Sequence, residues 1–324
     1  AKKLQDDVFA LMTPTKRAFI SVGYHESVRK AVNLKLAEER GIPVIRRDTG
    51  GGTVIITGNQ QGYRIGIYKT KGRIEDLYSL YLAPVIEVLK EYGDVQLRGQ
   101  DILLNGKKVS GNGAVSYEGI TCITGSVIVK NDIADFADLL NVPSEKFRDK
   151  VAKSIREWVT GLSEEVGREV TTEEIRERLT KVLTTKYNAK AYELKEEDLK
   201  YWDEVSKPEE EDDRDRLSYV EGCFKVTSRV FLCNEERKFR KLVDVTVRLV
   251  DGKIDDVTIV GDFFAEPRDL IKRLEAQLKG RGLDEVGQII KSVLKGGEIY
   301  GFTADDLVSV FQEIKEKYSK NVRA

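Results

Sequence analysis

Histidine and methionine each occur once among the 324 residues, and cysteine three times. The lone His25 excludes a histidine-rich metal centre, and Cys122, Cys223 and Cys233 include no CxxC pair, so zinc chemistry is not expected. Three cysteines leave one unpaired in any disulfide scheme. Long apolar runs are also missing. The longest uncharged stretch, residues 49–63, is interrupted by five glycines and falls short of the roughly 20 apolar residues that a membrane-crossing helix needs. Charge of one sign is lacking too: 54 Lys and Arg face 55 Asp and Glu, which argues against nucleic acid as a partner. Lys2, Lys3, Asp6 and Asp7 stand where a secretory signal would carry its apolar core, so no signal and a cytoplasmic location are expected. One Met, three Cys and 34% charged residues fit a heat-adapted composition.

At about 150 residues per domain, the length favours two domains. Residues 2–11 read as a short helix, 18–22 as a strand and 26–40 as an amphipathic helix with Val28, Ala31, Val32 and Leu36 on one face, ended by Gly41 and Pro43. Residues 44–46, 53–57 and 63–68 are β-rich and punctuated by glycine. A helix over 77–92 precedes strands at 95–97, 102–104, 107–110 and 120–129, which makes the class α+β with an antiparallel sheet behind helices. Residues 133–202 are polar and largely helical, with Ser163 and Thr171-Thr172 as plausible caps. The like-charge run 209–213 follows Pro208 and reads as a mobile linker or exposed loop. Beyond it, 242–250 and 254–260 alternate about Asp251-Gly252 as a hairpin, and helices follow at 267–278, 284–294 and 303–318. The expected division is a first domain over 1–207, an acidic linker over 208–222 and a smaller α+β domain over 223–324.

Three segments carry chemistry. In Arg46-Arg47-Asp48-Thr49-Gly50-Gly51-Gly52-Thr53-Val54 two fixed cations meet consecutive glycines, so an anion could lie against bare backbone with charge-assisted bonds from the arginines. A tight turn flanked by surface arginines is the plainer reading. Neither GxxxxGK[ST] nor a completed GxGxxG occurs, which removes the common nucleotide loops. In the second segment, residues 101–113, Asn105-Gly106 is a favoured hairpin turn that would set Asp101 on one strand and Lys108 on the next, as a functional pair or a solvated ion pair. The third, residues 153–162, reads by itself as an ordinary helix end.

Together, in this order and at these separations, the three segments resemble the lipoate-protein ligase family of the biotin/lipoate ligase superfamily. Its members carry RR-x-S/T-GGG-x-V followed by GN, then ND-I/L with G-x-K-V/I-SG, then K-S-V/I-R with VTNL. The matches are residues 46–54 with Gly58-Asn59, Asp101 with residues 107–111, and residues 153–162. Leu4-Gln5-Asp6-Asp7 is similar to the family's first-helix A-x-D-E, and Gly261-Asp262-Phe263-Phe264 with the Asp251-Gly252 hairpin resembles its C-terminal accessory domain. The resemblance implies a mixed or antiparallel sheet flanked by helices, with a small α+β accessory domain.

It also implies a two-step reaction, in which lipoate and ATP give lipoyl-adenylate and a lysine of a lipoyl carrier domain then takes the acyl group. That carrier would be a 2-oxoacid dehydrogenase acyltransferase component, a glycine cleavage H protein or similar, with neither nucleic acid nor membrane involved. Lys108 matches the catalytic lysine. Arg46, Arg47, Gly50, Gly51, Gly52, Thr53, Val54, Asn59, Asp101, Ser110, Gly111, Gly125, Lys153, Ser154 and Arg156 would contact substrate or adenylate. Asp101 would hold Mg²⁺, most of whose ligands come from ATP.

The family's aromatic-His-Asp after the glycines is replaced by Ile55-Ile56-Thr57, and its later His-His-Gly by Ile123-Thr124-Gly125. Gln100 stands for Asn, Glu26-Ser27 for Gln-Asn, and Trp158 and Gly161 for Arg and Asn. These changes put acyl choice in question more than activation. His25, in a turn before a helix, is expected at the solvated surface. Two alternatives remain: an ATP-independent octanoyl or lipoyl transferase, which needs a thiolate although Cys122 reads as a buried structural thiol, and a non-catalytic module that binds lipoyl domains.

Overall fold

The computed structural model describes residues 1–69, 72–117, 119–141, 157–205, 213–217 and 221–323. The leading strands are β1 (Val8–Leu11), β2 (Phe19–Val22), β3 (Val44–Arg46), β4 (Val54–Ile56), β5 (Gln60–Tyr68), β6 (Val95–Arg98), β7 (Asp101–Leu104), β8 (Lys107–Tyr117) and β9 (Ile120–Ile128). Six form an antiparallel sheet in the order β1-β5-β9-β8-β7-β6, and β3-β2-β4 form a small mixed one. Alternation along β5 turns Tyr63, Ile65 and Ile67 into a core shared with Leu77, Val85 and Leu89 of the helices Ile74–Tyr81 and Ala83–Leu89, and with Ile175 and Leu179 of Thr172–Lys186. The small sheet has its own cluster, in which Ile20, Val22 and Ile55 meet Val32, Ala37 and Leu139.

The chain then forms β10 (Cys223–Lys225), β11 (Val230–Lys238), β12 (Leu242–Val250) and β13 (Lys253–Gly261), a four-stranded antiparallel sheet in sequence order. Helices Leu270–Leu278, Val286–Leu294 and Ala304–Arg323 pack on it around Val245, Val247, Ile259, Leu274 and Phe311. The last pair, β14 (Phe264–Glu266) and β15 (Glu298–Tyr300), is antiparallel. Both hairpin turns read from sequence form: Asn105-Gly106 and Asp251-Gly252 have positive φ at both residues, which glycine and Asn or Asp tolerate best.

Four expectations are corrected. Residues 2–11 contain no helix; Val8–Leu11 is a strand paired to Tyr63–Gly66, because an exposed β-sheet edge outweighs local helix preference in a short segment. The helix over 26–40 is two, Val28–Ala31 and Leu34–Glu39, since Val32 is extended, bridges Leu140, and leaves Asn33 to cap a new helix through Leu36 N–H. The helix over 77–92 starts at Ile74 and divides at Leu82, with Pro84 in the first turn of its second half. Thr171 caps its helix through Glu174 N–H as expected, but Ser163 does not act as a cap: its helix Leu162–Val166 starts from Gly161.

Of the acidic run, residues 209–212 lie outside the described residues. Its end is not loose: Asp215 accepts bonds from Ser27 and from Val28 and Arg29 N–H, while Arg216 pairs with Asp256 and Glu275. Cys223 and Cys233 face each other in register and are disulfide-bonded, and Cys122 is free.

The two sheets meet at β14. Phe264 and Tyr300 pack against the first core, and fully buried Phe263 stacks on His25 with ring centroids 4.7 Å apart. Gly261 N–H donates to His25 O at 2.9 Å. Ion pairs Arg240–Glu75 (2.7 Å), Arg268–Asp48 (3.2 Å) and Lys30–Asp244 add charge contacts. His25 is therefore buried, a correction to its expected surface place: a partner distant in sequence covers it.

Candidate active site

The site begins at the hairpin β7–β8. Asp101 pairs with Gly111, but the register shifts between Ile102 and Leu103, so Lys108 lies opposite Leu103 and Ser110 opposite Ile102. The extra residue, Val109, turns Lys108 onto the face that carries Asp101. The Lys108 Nζ to Asp101 Oδ1 distance is 2.9 Å, with both side chains only partly exposed. Glycine is required beside them. A Cβ on Gly111 would sit 2.9 Å from Lys108 Nζ, so the bare strand is the track along which the lysine reaches the carboxylate.

Behind this pair lies a buried polar network. Tyr63 OH donates to Asn112 Oδ1 at 2.6 Å and lies 3.1 Å from Ser110 Oγ, and Asn112 Nδ2 donates to Gln100 O at 2.8 Å. Burial pushes the Tyr63 phenol well above its ordinary pKa, so it stays a neutral donor. Gly125 on β9 closes against this network: a Cβ there would lie 2.1 Å from Asn112 Oδ1.

The glycine loop crosses β8. Gly50 N–H donates to Ala114 O and Gly51 N–H makes a long contact of 3.4 Å to Phe263 O. Gly51 has φ +94°, a conformation that glycine adopts without strain. Close approach matters as much: a Cβ on Gly50 would lie 2.6 Å from Phe263 O, and one on Gly113 would lie 3.0 Å from Gly50 O.

Arg47 holds the loop from inside. It donates to Ser21 O at 2.8 Å, Thr49 Oγ1 at 3.0 Å, Gly50 O at 3.0 Å and Gly52 O at 2.7 Å. Arg46 donates to Gly23 O at 2.6 Å and Glu26 O at 2.7 Å. Glu26 completes the clasp, accepting from Gly23 N–H and from Thr53 Oγ1, and burial raises its pKa. The loop's expected bare amides are thus partly occupied by the fold itself.

The other expected residues are placed as follows. Val54 is exposed on β4. Asn59 Nδ2 donates to Asp132 Oδ2 at 2.7 Å, with Thr57 on the other carboxylate oxygen. Lys153, Ser154 and Arg156 lie outside the described residues, but the end of their segment arrives beside the lysine, where Thr160 N–H donates to Lys108 O at 2.9 Å. Exposed Trp158 is there too, 5.9 Å from the Arg98 guanidinium.

Tyr63 and Asn112 are not among the residues expected from sequence; Asn112 is signalled by its place between two glycines of the hairpin, whereas Tyr63 carries no local signal. Among the described residues no group of three or more His, Cys, Asp or Glu gathers as a metal site, and no helix is long and apolar enough to cross a membrane.

Residues 1–184 match the family described as Lipoyl protein ligase A/B catalytic domain, and residues 231–311 match Bacterial lipoate protein ligase C-terminus. The chain is 28% identical over 300 residues to Lipoate-protein ligase LplJ of Bacillus subtilis, covering 91% of this chain and 87% of that protein. Its fold is similar to that of P. falciparum LipL1 in complex with lipoate, with a TM-score of 0.63 at 18% identity over 95% of this chain and 87% of that one. A structure from the analysis of a bi-partite lipoate protein ligase and its E2 lipoyl domain from Thermoplasma acidophilum superposes with a TM-score of 0.56 at 23% identity over 61% of this chain and 79% of that one. The catalytic match spans more than half of the chain and contains the hairpin, the glycine loop and their network; this protein belongs to the lipoyl protein ligase A/B catalytic family, carries the family's C-terminal domain, and is a ligase.

Proposed function

We propose that the protein is an ATP-dependent lipoate-protein ligase that forms lipoyl-adenylate and passes the lipoyl group to a lysine of a lipoyl carrier domain. The observation that carries this reading is the Lys108–Asp101 pair at 2.9 Å, held on one strand face beside the glycine loop. Joining a carboxylate to an amine in water needs an activated acyl group, and a ligase supplies it from a nucleoside triphosphate. In the first step a lipoate carboxylate oxygen attacks the α-phosphorus of ATP, and the bond to the β-phosphate breaks to release pyrophosphate. Lys108 supplies the fixed positive charge that brings these anions together and stabilises the charge that develops. In the second step the neutral amine of the carrier lysine attacks the acyl carbon, AMP leaves with the bonding electron pair, and the amine loses its proton.

MgATP is the substrate in this scheme, and Asp101, beside Lys108, is the carboxylate that would hold its Mg²⁺. Arg46, Arg47 and Glu26 shape the loop, Gly50 to Gly52, Thr53 and Val54 line the cleft, and Ser110, Gly111 and Gly125 keep its floor narrow. Asn59, Lys153, Ser154 and Arg156 complete the proposed substrate contacts, with residues 157–161 covering the adenylate against water. The proposed location is cytoplasmic. The thiolate-dependent transferase is less well supported: burial raises the pKa of Cys122, which lies on β9 paired with Gly66 and Val115, whereas a nucleophilic thiol needs a lowered pKa.

The test is intact-mass spectrometry of a lipoyl domain incubated with the protein and lipoate, with and without MgATP, beside a reaction given an octanoyl-carrier donor and no ATP. A gain equal to lipoate less one water, seen only with ATP, is expected. A gain from the octanoyl donor alone would replace the ligase by a transferase.

A further inference from the structure

We propose that Lys241, from the C-terminal domain, is a substrate-binding cation of the adenylation site and holds a phosphate of the nucleoside triphosphate across the cleft from Lys108. The inference rests on the ligase reading above and extends it to a residue outside the catalytic domain.

The turn 261–264 brings the C-terminal domain onto the glycine loop. A Cβ on Gly52 would lie 3.7 Å from the Asp262 Cβ, and Phe263 O receives the Gly51 N–H. Asp262 turns back to accept Leu242 N–H, which fixes Lys241 beside it at 3.9 Å, with Lys238 at 3.3 Å on the same carboxylate oxygen. On its other side Lys241 N–H donates to Gly301 O at 3.0 Å, and a Cβ on Gly301 would sit 2.7 Å from the Lys241 Cβ. The adjacent Tyr300 reaches over the β6–β7 turn, its hydroxyl 3.1 Å from where a Gly99 Cβ would stand. Lys241 is thereby held between Asp262, which abuts the glycine loop, and Gly301, whose neighbour Tyr300 reaches Gly99.

Two ammonium groups, Lys238 and Lys241, meet one carboxylate oxygen of Asp262 at 3.3 and 3.9 Å, the second too long for a hydrogen bond. The Lys241 side chain is only 18% exposed, and burial disfavours its charged form. A part-buried cation with so distant a partner favours an anionic ligand, and a compact ammonium is suited to phosphate oxygens as a point charge. ATP is the most highly charged substrate in the proposed reaction.

The experiment compares the full chain with Lys241→Gln and Lys241→Arg in lipoate-dependent exchange of labelled pyrophosphate into ATP. Lys241→Gln is expected to raise the KM for ATP about tenfold while leaving that for lipoate unmoved, and Lys241→Arg is expected to restore most of the ATP affinity. An unchanged KM for ATP, or a rise confined to lipoate, overturns the assignment while wild-type exchange proceeds. Absence of exchange in the wild type would overturn the ligase reading and this inference together.

Discussion

The glycine loop and the β7–β8 hairpin are both short, glycine-bearing and charged, yet the fold treats their cations in opposite ways. Arg47 places its guanidinium among four oxygen acceptors of the loop and β2, and Arg46 turns to the carbonyls of residues 23–26. Among the described residues Lys108 meets one carboxylate, that of Asp101, and its side chain stays partly exposed. A planar fork with five donors can hold a backbone together, whereas a point charge on a flexible stem can serve a substrate. In the proposed reaction the arginines make the shape and the lysines supply the field.

Replacing the chemical cation should leave the shape. Lys108→Ala is expected to lower the rate of adenylate formation by at least about 10³-fold, on the scale of losing one electrostatic stabiliser of a transition state. The thermal midpoint should stay within about 3 °C of wild type, because among the described residues the lysine forms one partly exposed ion pair. Pyrophosphate exchange and a thermal melt check the two halves, and exchange at the wild-type rate would remove Lys108 from its role.

Replacing the architectural cation should do the reverse. Arg47→Lys cannot satisfy all four acceptors from one nitrogen, and a buried acceptor left without its donor costs about 1–3 kcal/mol. A destabilisation of about 2–4 kcal/mol in urea unfolding is expected, with a smaller effect on kcat than Lys108→Ala. Unaltered stability with abolished exchange would make Arg47 a substrate ligand and break the distinction.

Much of this was legible from local rules. Asn105-Gly106 and Asp251-Gly252 form their turns because positive φ is needed at both positions, and three consecutive glycines mark a place where neighbouring backbones close in. What local rules missed depends on partners. The strand at Val8–Leu11 exists because β5 offers it an edge, the Lys108–Asp101 pairing depends on a one-residue bulge at Val109, and Phe263 covers His25 only because the chain returns to the first core at β14. The arginine-glycine segment reads in sequence as an anion cradle, whereas in the fold its guanidinium groups and two of its amides bond to the chain itself.

His25 tests the seam between the two regions, with the smallest expected effect. Its imidazole is buried between Tyr24 and Phe263, and burial first, then Arg214, Arg46 and Arg268, lowers its pKa to about 3. In the unfolded chain the ring takes up a proton below about pH 6.5, while the folded chain resists until far lower pH. Stability therefore falls as the pH drops through that window, by at most about 1.4 kcal/mol per unit from this group. His25→Phe keeps a ring against Phe263 and removes the titration, so its loss of stability between pH 7 and 5 should be smaller than wild type. Carboxylates such as Glu174, lowered to about 2 by Arg168, titrate alike in both proteins and cancel in the comparison. Equal pH dependence of the two urea midpoints would mean that the ring is open to solvent and that Phe263 does not seal the seam.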